Sequence, residues 1–400
     1  MSAGMNLVFI IYSYFPHGGQ QRDFMRILNE CRARGHNITV YTLKWTGDKP
    51  DGVTIHLVPV KALTRTRLYK KFTRWVESKI ERISESPNEK QSGVHNQTIV
   101  GFNKMPGLDV YYAADPCFAE MAATQRGSYY QYSSRFKHFS AYEEAVFGGD
   151  SATEVLYLSP QQRAAFKTYY PECESRLHAL PAGLAEDRRL DDRSTAAREA
   201  RKKAAREKLK SELNISETAT LVIQIGSGFK VKGVDRALRA IASLPRESHS
   251  TVHYLLVGSG KPASYLRLAK KLNIANKVTI VEGRDDVPEL LAAADLMLHP
   301  AYRESAGYTL LEAIVAGLPV LATETCGYAY HIVQANAGAV CPEPFSQASL
   351  NKILFDMLEQ LPTAKWSANG LAYGAEESLY TMPQAAADFI ERFESGTPRG

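Results

Sequence analysis

The feature that most constrains this chain is a rhythm of short apolar runs separated by amphipathic stretches, met twice. Asn6–Tyr12, Asn37–Leu43, Val53–Val58 and Thr98–Phe102 read as strands, with helices over Gln21–Arg34 and Arg65–Ile83 and a polar loop over Ser84–Gln97. Gly35 suits a left-handed helix end, and Val155–Leu158 resumes the strands with Ser159 as the next helix cap. A second block supplies strands at Thr220–Ile225, Val252–Val257, Val278–Val281, Leu296–His299 and Val320–Ala322. Its helices fall near Val234–Ser243, Ala263–Leu272, Val287–Ala294 and Tyr308–Ala316. Parallel strands need a crossover and a helix provides it, so this alternation predicts parallel α/β sheets. The charged, alanine-rich stretch Asp187–Leu213 between the blocks predicts a solvated helix or linker. We therefore expect two doubly wound, Rossmann-like domains facing a cleft, 1–185 and 186–379, with a terminal helix within about 380–400 returning to the first. Ligands of such folds lie beyond the carboxyl ends of the strands.

At 400 residues and 44% hydrophobic content the chain can bury more than one core. A formal net charge of +5 suits an anionic ligand or an anionic membrane, and lacks the concentration of charge typical of a nucleic-acid binder. Cys31, Cys117, Cys173, Cys326 and Cys341 are scattered with no C-x-x-C, which argues against a disulfide framework or zinc site and for a reducing, cytoplasmic compartment. The run Leu7–Tyr12 is too short and too lightly flanked for a signal peptide. No run approaches the roughly 18 apolar residues of a membrane span, so any membrane contact is expected to be peripheral.

The sharpest motif is His299-Pro300-Ala301-Tyr302-Arg303-Glu304-Ser305-Ala306-Gly307-Tyr308-Thr309-Leu310-Leu311-Glu312. It leads from a strand end through a loop to a helix start. A helix N-terminus has free N–H groups and a dipole that favours an anion. A diphosphate could sit on the amides of Ala306, Gly307 and Tyr308, with Glu304 and Glu312 accepting hydrogen bonds from sugar and ribose hydroxyls. The plainer reading makes Glu304 a capping acid and Glu312 a surface residue. The apolar neighbours Leu310, Leu311, Ala313 and Ile314 speak against an idle Glu312.

Gly226-Ser227-Gly228-Phe229-Lys230-Val231-Lys232-Gly233 follows a strand and precedes a helix. Small residues let the backbone approach a phosphate and lysine adds charge, although the spacing is not that of a P-loop. Alone it is equally a tight turn with solvated lysines. Pro16-His17-Gly18-Gly19-Gln20-Gln21-Arg22-Asp23 offers a flexible loop beside a helix start, or simply a turn with a first-turn acid at Asp23.

The two glutamates with seven residues between them, the Lys232-Gly233 turn and the Gly18-Gly19 loop resemble the retaining GT-B glycosyltransferases of family 4. Tyr14-Phe15-Pro16-His17-Gly18-Gly19, Gln21–Arg26, Ala113-Ala114-Asp115 and above all Gly101-Phe102-Asn103-Lys104-Met105-Pro106-Gly107-Leu108-Asp109-Val110-Tyr111 look like bacterial lipopolysaccharide core glucosyltransferases. The resemblance runs through nearly the whole chain, with an insertion around Asp191–Arg206. It implies the GT-B fold and α-retaining transfer of glucose from UDP-glucose to an inner-core heptose of lipopolysaccharide. It further implies that Glu304 contacts the sugar, Glu312 the ribose and Lys232 the diphosphate. By the same resemblance Gly18, Gly19 and Asp23 line the cleft from the first domain, Arg188 approaches sugar or phosphate, Arg284 lies near the uracil, and Asp115 sits near the reacting centre. Gly258, at a strand end, joins the donor-binding set. Val231 departs from the pattern, which commonly has a basic residue before the lysine. No D-x-D motif occurs, which fits neutralisation of the diphosphate by Lys232 and helix amides with no cofactor and no metal. The acceptor hydroxyl loses its proton to the departing phosphate or with help from Asp115, unless a carboxylate forms a covalent intermediate.

Between Cys117 and Phe147, Tyr129, Tyr130, Tyr132, Phe136, Phe139 and Tyr142 interleave with Arg126, Arg135, Lys137 and His138. Aromatic bodies with polar tips and basic neighbours suit an anionic bilayer interface, and equally an aromatic helix packed on the first domain. The resemblance favours the former, on the cytoplasmic face of the inner membrane, with Arg135 and Lys137 facing membrane and acceptor. Three other readings stand beside this one: another UDP-sugar donor, a UDP-sugar epimerase, or a non-enzymatic protein docking on membrane or nucleic acid through Arg198–Lys210.

Overall fold

The protein is described by a computed structural model over residues 4–16, 18–84, 97–245 and 251–393. His17 and most of the polar loop read over Ser84–Gln97 lie outside those residues. The chain divides into two compact units, Met1–Gly183 with Tyr380–Gly400, and Leu184–Leu379.

Unit 1 contains β1 (Asn6–Ile10), β2 (Ser13–Tyr14), β3 (Asn37–Thr42), β4 (Lys44–Trp45), β5 (Val53–Leu57), β6 (Gln97–Gly101), β7 (Val110–Tyr112), β8 (Glu154–Tyr157) and β9 (Leu177–Ala179). Seven of them form one parallel sheet in the order β5-β3-β1-β6-β7-β8-β9, while β2 and β4 make a small ribbon. The order reverses between β1 and β6, so the loops after those two strands diverge and leave a crevice. Leu7, Val8, Phe9 and Ile10 are all buried, the near-continuous apolar run of a strand covered on both faces. Phe24 of helix Gly19–Ala33 packs edge-on against Phe9 and Phe102, 6.0 and 5.0 Å between centroids, and fixes that helix on the sheet.

The closing helix Met382–Glu391 belongs to this unit. Arg34 bonds Asp388 at 2.6 Å and Glu391 at 3.0 Å, and His36 Nε2 lies 2.8 Å from Glu391.

Unit 2 contains β10 (Thr220–Ile225), β11 (Val252–Val257), β12 (Val278–Val281), β13 (Leu296–His299), β14 (Val320–Thr323) and β15 (Gly338–Cys341). They form a parallel sheet in the order β12-β11-β10-β13-β14-β15, with its reversal between β10 and β13. β15 and the helices Gln347–Gln360 and Trp366–Tyr373 complete it beyond what the sequence pattern predicted.

Of the two readings of the charged stretch before β10, the helix holds and its full solvation does not. The helix, Thr195–Leu213, is capped by the Ser194 hydroxyl on the Ala197 amide and ended by Asn214 in the left-handed conformation. Its basic residues are not all solvated. Arg198 and Arg206 are only 5% and 6% exposed. The Arg198 guanidinium donates to the Gly317 carbonyl at 2.8 Å, and Arg206 donates to the Ala219 carbonyl at 2.7 Å and the Asp295 carboxylate at 2.5 Å. These arginines pin the helix to the domain, so the run is no free basic face. The five cysteines are buried free thiols.

Candidate active site

The doubly wound topology of unit 2 brings the two sequence motifs together. β10 and β13 are neighbours, so the loops after them, 226–233 and 300–307, rise side by side at the reversal. The Tyr302 amide donates to the Val231 carbonyl at 2.8 Å and ties one loop to the other. Arg236, one turn into the helix that follows the first loop, supports the second. Its guanidinium lies 3.6 Å from the Tyr302 ring and 3.5 Å from the Phe345 ring, and it donates to the Ala301 carbonyl at 3.2 Å.

Across this seam Lys232 Nζ contacts the Glu304 carboxylate. Burial pulls the Lys232 ammonium down to about 8. His299, at the carboxyl end of β13, is fully buried, with Nε2 3.4 Å from Glu304 Oε2. No hydrogen-bond partner for its ring nitrogens occurs among the described residues. Burial, and then the Lys232 charge, hold the imidazole down to about 3, so it is neutral at physiological pH. Sequence reasoning had read His299 only as a strand end. A polar residue closing an otherwise apolar central strand was the available signal.

Glu304 is not a capping acid. Helix Tyr308–Val315 starts after Gly307 with no side-chain cap, and Gly307 has φ 100°, open to glycine without strain. A Cβ there would lie 3.2 Å from Glu304 Cγ. Nor is Glu312 a surface residue: it is 6% exposed and 3.5 Å from Arg188 Nε. Gly258 closes β11 against the loop after β10, where a Cβ would approach the Gly226 carbonyl oxygen to 2.4 Å. Ala306 is buried beside this helix start, and its carbonyl accepts from the Tyr328 amide.

Two residues grouped with the donor site find other partners. Arg284 is engaged with Asp286 at 2.7 Å and Glu212 at 2.7 Å, so its guanidinium is committed to the Thr195–Leu213 helix rather than free for a base. Asp23 is 4% exposed and accepts from the Tyr112 hydroxyl at 2.7 Å; it faces the interior of unit 1 rather than an open cleft. Gly18 and Gly19 open that same helix without a side-chain cap, and space is open around Gly19.

Unit 1 has its own cavity, of about 960 Å³, at its sheet reversal. Tyr12, from the loop after β1, and Asn103 and Lys104, from the loop after β6, line it with Asp115. The Asn103 side chain accepts from the Tyr12 amide at 2.8 Å. Burial raises the Asp115 carboxyl above its ordinary range, with Lys104 opposing and Glu143 adding to the rise. Glu143 was not identified from sequence. It is fully buried and accepts from the Phe118 and Ala119 amides at 2.7 Å each, from the Tyr170 hydroxyl at 3.0 Å and from Lys104. One carboxylate thus caps helix Phe118–Gln125 and anchors Lys104 beside Asp115.

The aromatic stretch divides. Phe136 and Phe139 pack against Phe118, and the Tyr142 hydroxyl donates to Thr73, as in a helix laid on the domain. Tyr129 and Tyr132, in a short 3-10 turn, stand 87% and 69% exposed, while Tyr130 packs on Phe118 and Phe136. Arg135 and Lys137 are exposed on the following helix.

Residues 205–370 match the family described as glycosyl transferases group 1. The chain is 42% identical to the lipopolysaccharide glucosyltransferase WaaG of Escherichia coli over 387 residues, covering 96% of this chain and 98% of that one. This chain belongs to the WaaG family of glycosyltransferases. The crystal structure of WaaG, a glycosyltransferase involved in lipopolysaccharide biosynthesis, superposes with a TM-score of 0.84 over 96% of this chain and 99% of that one. Anabaena HepE in complex with UDP and glucose shares the fold at 17% identity, with a TM-score of 0.70 over 97% of this chain and 100% of that one. The transferase is therefore an α/β protein of GT-B type. Among the described residues no helix is long and apolar enough to cross a membrane, and no group of three or more metal-ligating side chains occurs.

Proposed function

We propose that the transferase moves glucose from UDP-glucose to an inner-core heptose of lipopolysaccharide, retaining the α configuration, in the cytoplasm at the inner-membrane surface. The observation that carries this is the meeting of Lys232, Glu304 and a side-chain-uncapped helix start at the β10–β13 reversal. In this reading unit 2 binds the donor. The Ala306, Gly307 and Tyr308 amides and Lys232 hold the diphosphate and take up the charge that develops on the departing UDP. That role replaces a divalent ion, so no metal is required. Glu304 accepts from the sugar hydroxyls, with neutral His299 behind it. Glu312 accepts from the ribose and is oriented by Arg188. Gly258 keeps the backbone low beside the nucleotide. Arg284 and Asp23 take structural parts.

Unit 1 binds the acceptor. Asp115, whose raised carboxyl holds a proton more readily than an ordinary aspartate, aids loss of the acceptor proton, while Gly19 leaves room for the reacting groups and Gly18 admits the close-packed Gln21 and Phe15 side chains. Tyr129 and Tyr132, with Lys137, rest on the anionic membrane surface, and Arg135 turns to the acceptor side. Burial of Arg198 and Arg206 weighs against the alternative of a protein docking on nucleic acid or membrane through that helix.

The test is transfer from a panel of radiolabelled nucleotide sugars, with EDTA present, to truncated lipopolysaccharide ending at the inner-core heptoses. Labelled lipid from UDP-glucose supports donor, acceptor and metal independence together. Label only from another UDP-sugar replaces glucose in the proposal. Interconversion of the donor with no transfer supports an epimerase instead.

A further inference from the structure

The cavity of unit 1 carries more charge than the proposed chemistry uses. Arg65, Arg67 and Lys70 project from helix Arg65–Ser84, and Arg135 from helix Ser134–Phe147, all onto its lining. Among the described residues none of these four is paired with a carboxylate, and Lys104 is already held by Glu143. Among the described residues Asp115 is the one acid on the lining.

The placement is unfavourable for either helix by itself. A helix N-terminus is the positive end of the macrodipole, where acids stabilise and cations cost. Both first turns lack an acid and carry arginine instead. Two positive helix ends and four cations thus converge on one cavity, an arrangement that an anion would relieve. Four aromatic rings, Tyr12, Tyr69, Phe118 and Phe139, share the lining. Tyr12 and Tyr69 stack at 3.9 Å with planes 2° apart, and Phe118 and Phe139 pack at 5.6 Å. Flat rings suit the apolar faces of sugars, and the volume lies near the top of the roughly 300–1,000 Å³ range of ligand pockets.

We propose that this cavity is a subsite for an acidic saccharide, with Arg65 and Arg67 reading a phosphate or carboxylate group on the acceptor glycan. It rests on the reading that unit 1 binds the acceptor. Guanidinium forks match both oxyanions bidentately, and the aromatic wall holds the ring that bears the acid. The subsite makes acceptor charge, rather than hydroxyl pattern alone, a condition of recognition.

The experiment compares lipid-free inner-core oligosaccharide with the same material after carboxyl reduction and after dephosphorylation, by calorimetric titration and by transfer kinetics, on the full chain. For the wild-type protein, removing the recognised acid is expected to weaken binding roughly tenfold, and whichever treatment does so names the group. The Arg65→Gln/Arg67→Gln variant is expected to bind the acidic form as weakly as the wild type binds the neutralised one. Both arginines are exposed on the helix surface, so the variant is expected to fold, and circular dichroism checks it. Equal affinity of the wild type for all three oligosaccharides overturns the proposal. So does a variant that still discriminates, or one whose defect is confined to vesicles containing anionic lipid, which would assign the cations to headgroups. Titration needs no turnover, so a failure of the donor assignment appears as absent transfer with discrimination intact.

Discussion

Removing Glu143 is a severe test of how unit 1 is held together. Glu143→Ala deletes a fully buried carboxylate that serves four close donors, two amides at the start of helix Phe118–Gln125, the Tyr170 hydroxyl and the Lys104 ammonium, with the Cys117 thiol further off at 4.0 Å. Breaking a buried ion pair from one side costs about 3–5 kcal/mol, because the remaining charge is left without its partner. Orphaned buried donors cost about 1–3 kcal/mol each. These losses overlap, and Lys104 keeps its bond to the Pro116 carbonyl at 2.7 Å, so about 4 kcal/mol is a reasonable total. For a unit of this size that is roughly 8–16 °C in Tm, at about 2–4 °C per kcal/mol. Urea and thermal unfolding followed by circular dichroism measure it, with Glu143→Gln as the isosteric control that keeps one acceptor oxygen. A loss below about 1 kcal/mol for the alanine variant would show that water or a rearranged Lys104 satisfies these donors, and the account of Glu143 as the anchor of that wall would be wrong.

Glu304→Ala is expected to fold and to lose transfer about 10²–10³-fold, the scale of one preorganised electrostatic contact; near-normal kcat/KM would remove Glu304 from the donor site. Burial depresses Lys232 to about 8, so its charged form is lost as pH rises past that value. The donor KM should therefore be flat below pH 8 and climb roughly tenfold per unit above it, and a Lys232→Met enzyme lacking that slope checks the assignment. Tyr129→Ala with Tyr132→Ala should weaken vesicle binding in a flotation assay more than transfer to a soluble acceptor; unchanged flotation refutes the interface reading. Arg206→Ala should destabilise unit 2 by about 3 kcal/mol through the orphaned Ala219 and Ala293 carbonyls, with Asp295 keeping its ion pair to Lys202, whereas a solvated arginine would cost almost nothing on denaturation.

Much of this molecule was legible in its residues. Apolar runs of four to six residues can only be buried strands when helices of opposite periodicity separate them, and β1, β3, β10, β11, β12 and β13 lie where that pattern puts them. The strand–loop–helix order also put Lys232 and Glu304 in loops at the carboxyl ends of strands, and the folded sheet brings those two loops together. Local patterning does this because helix and strand periods are properties of neighbouring residues.

What tertiary structure alone decided are the partners. Glu143 meets Lys104 across 39 positions, and Arg284 meets Glu212 across 72. Arg198 and Arg206 look like the rest of a solvated basic helix until the carbonyls of Gly317 and Ala219 are brought against them. Asp23 reads as a first-turn acid until the Tyr112 hydroxyl is placed beneath it. A charged side chain declares its presence in the sequence, but its desolvation and its counter-charge are set by atoms far along the chain, and only the folded arrangement of the sheets determines which ones arrive.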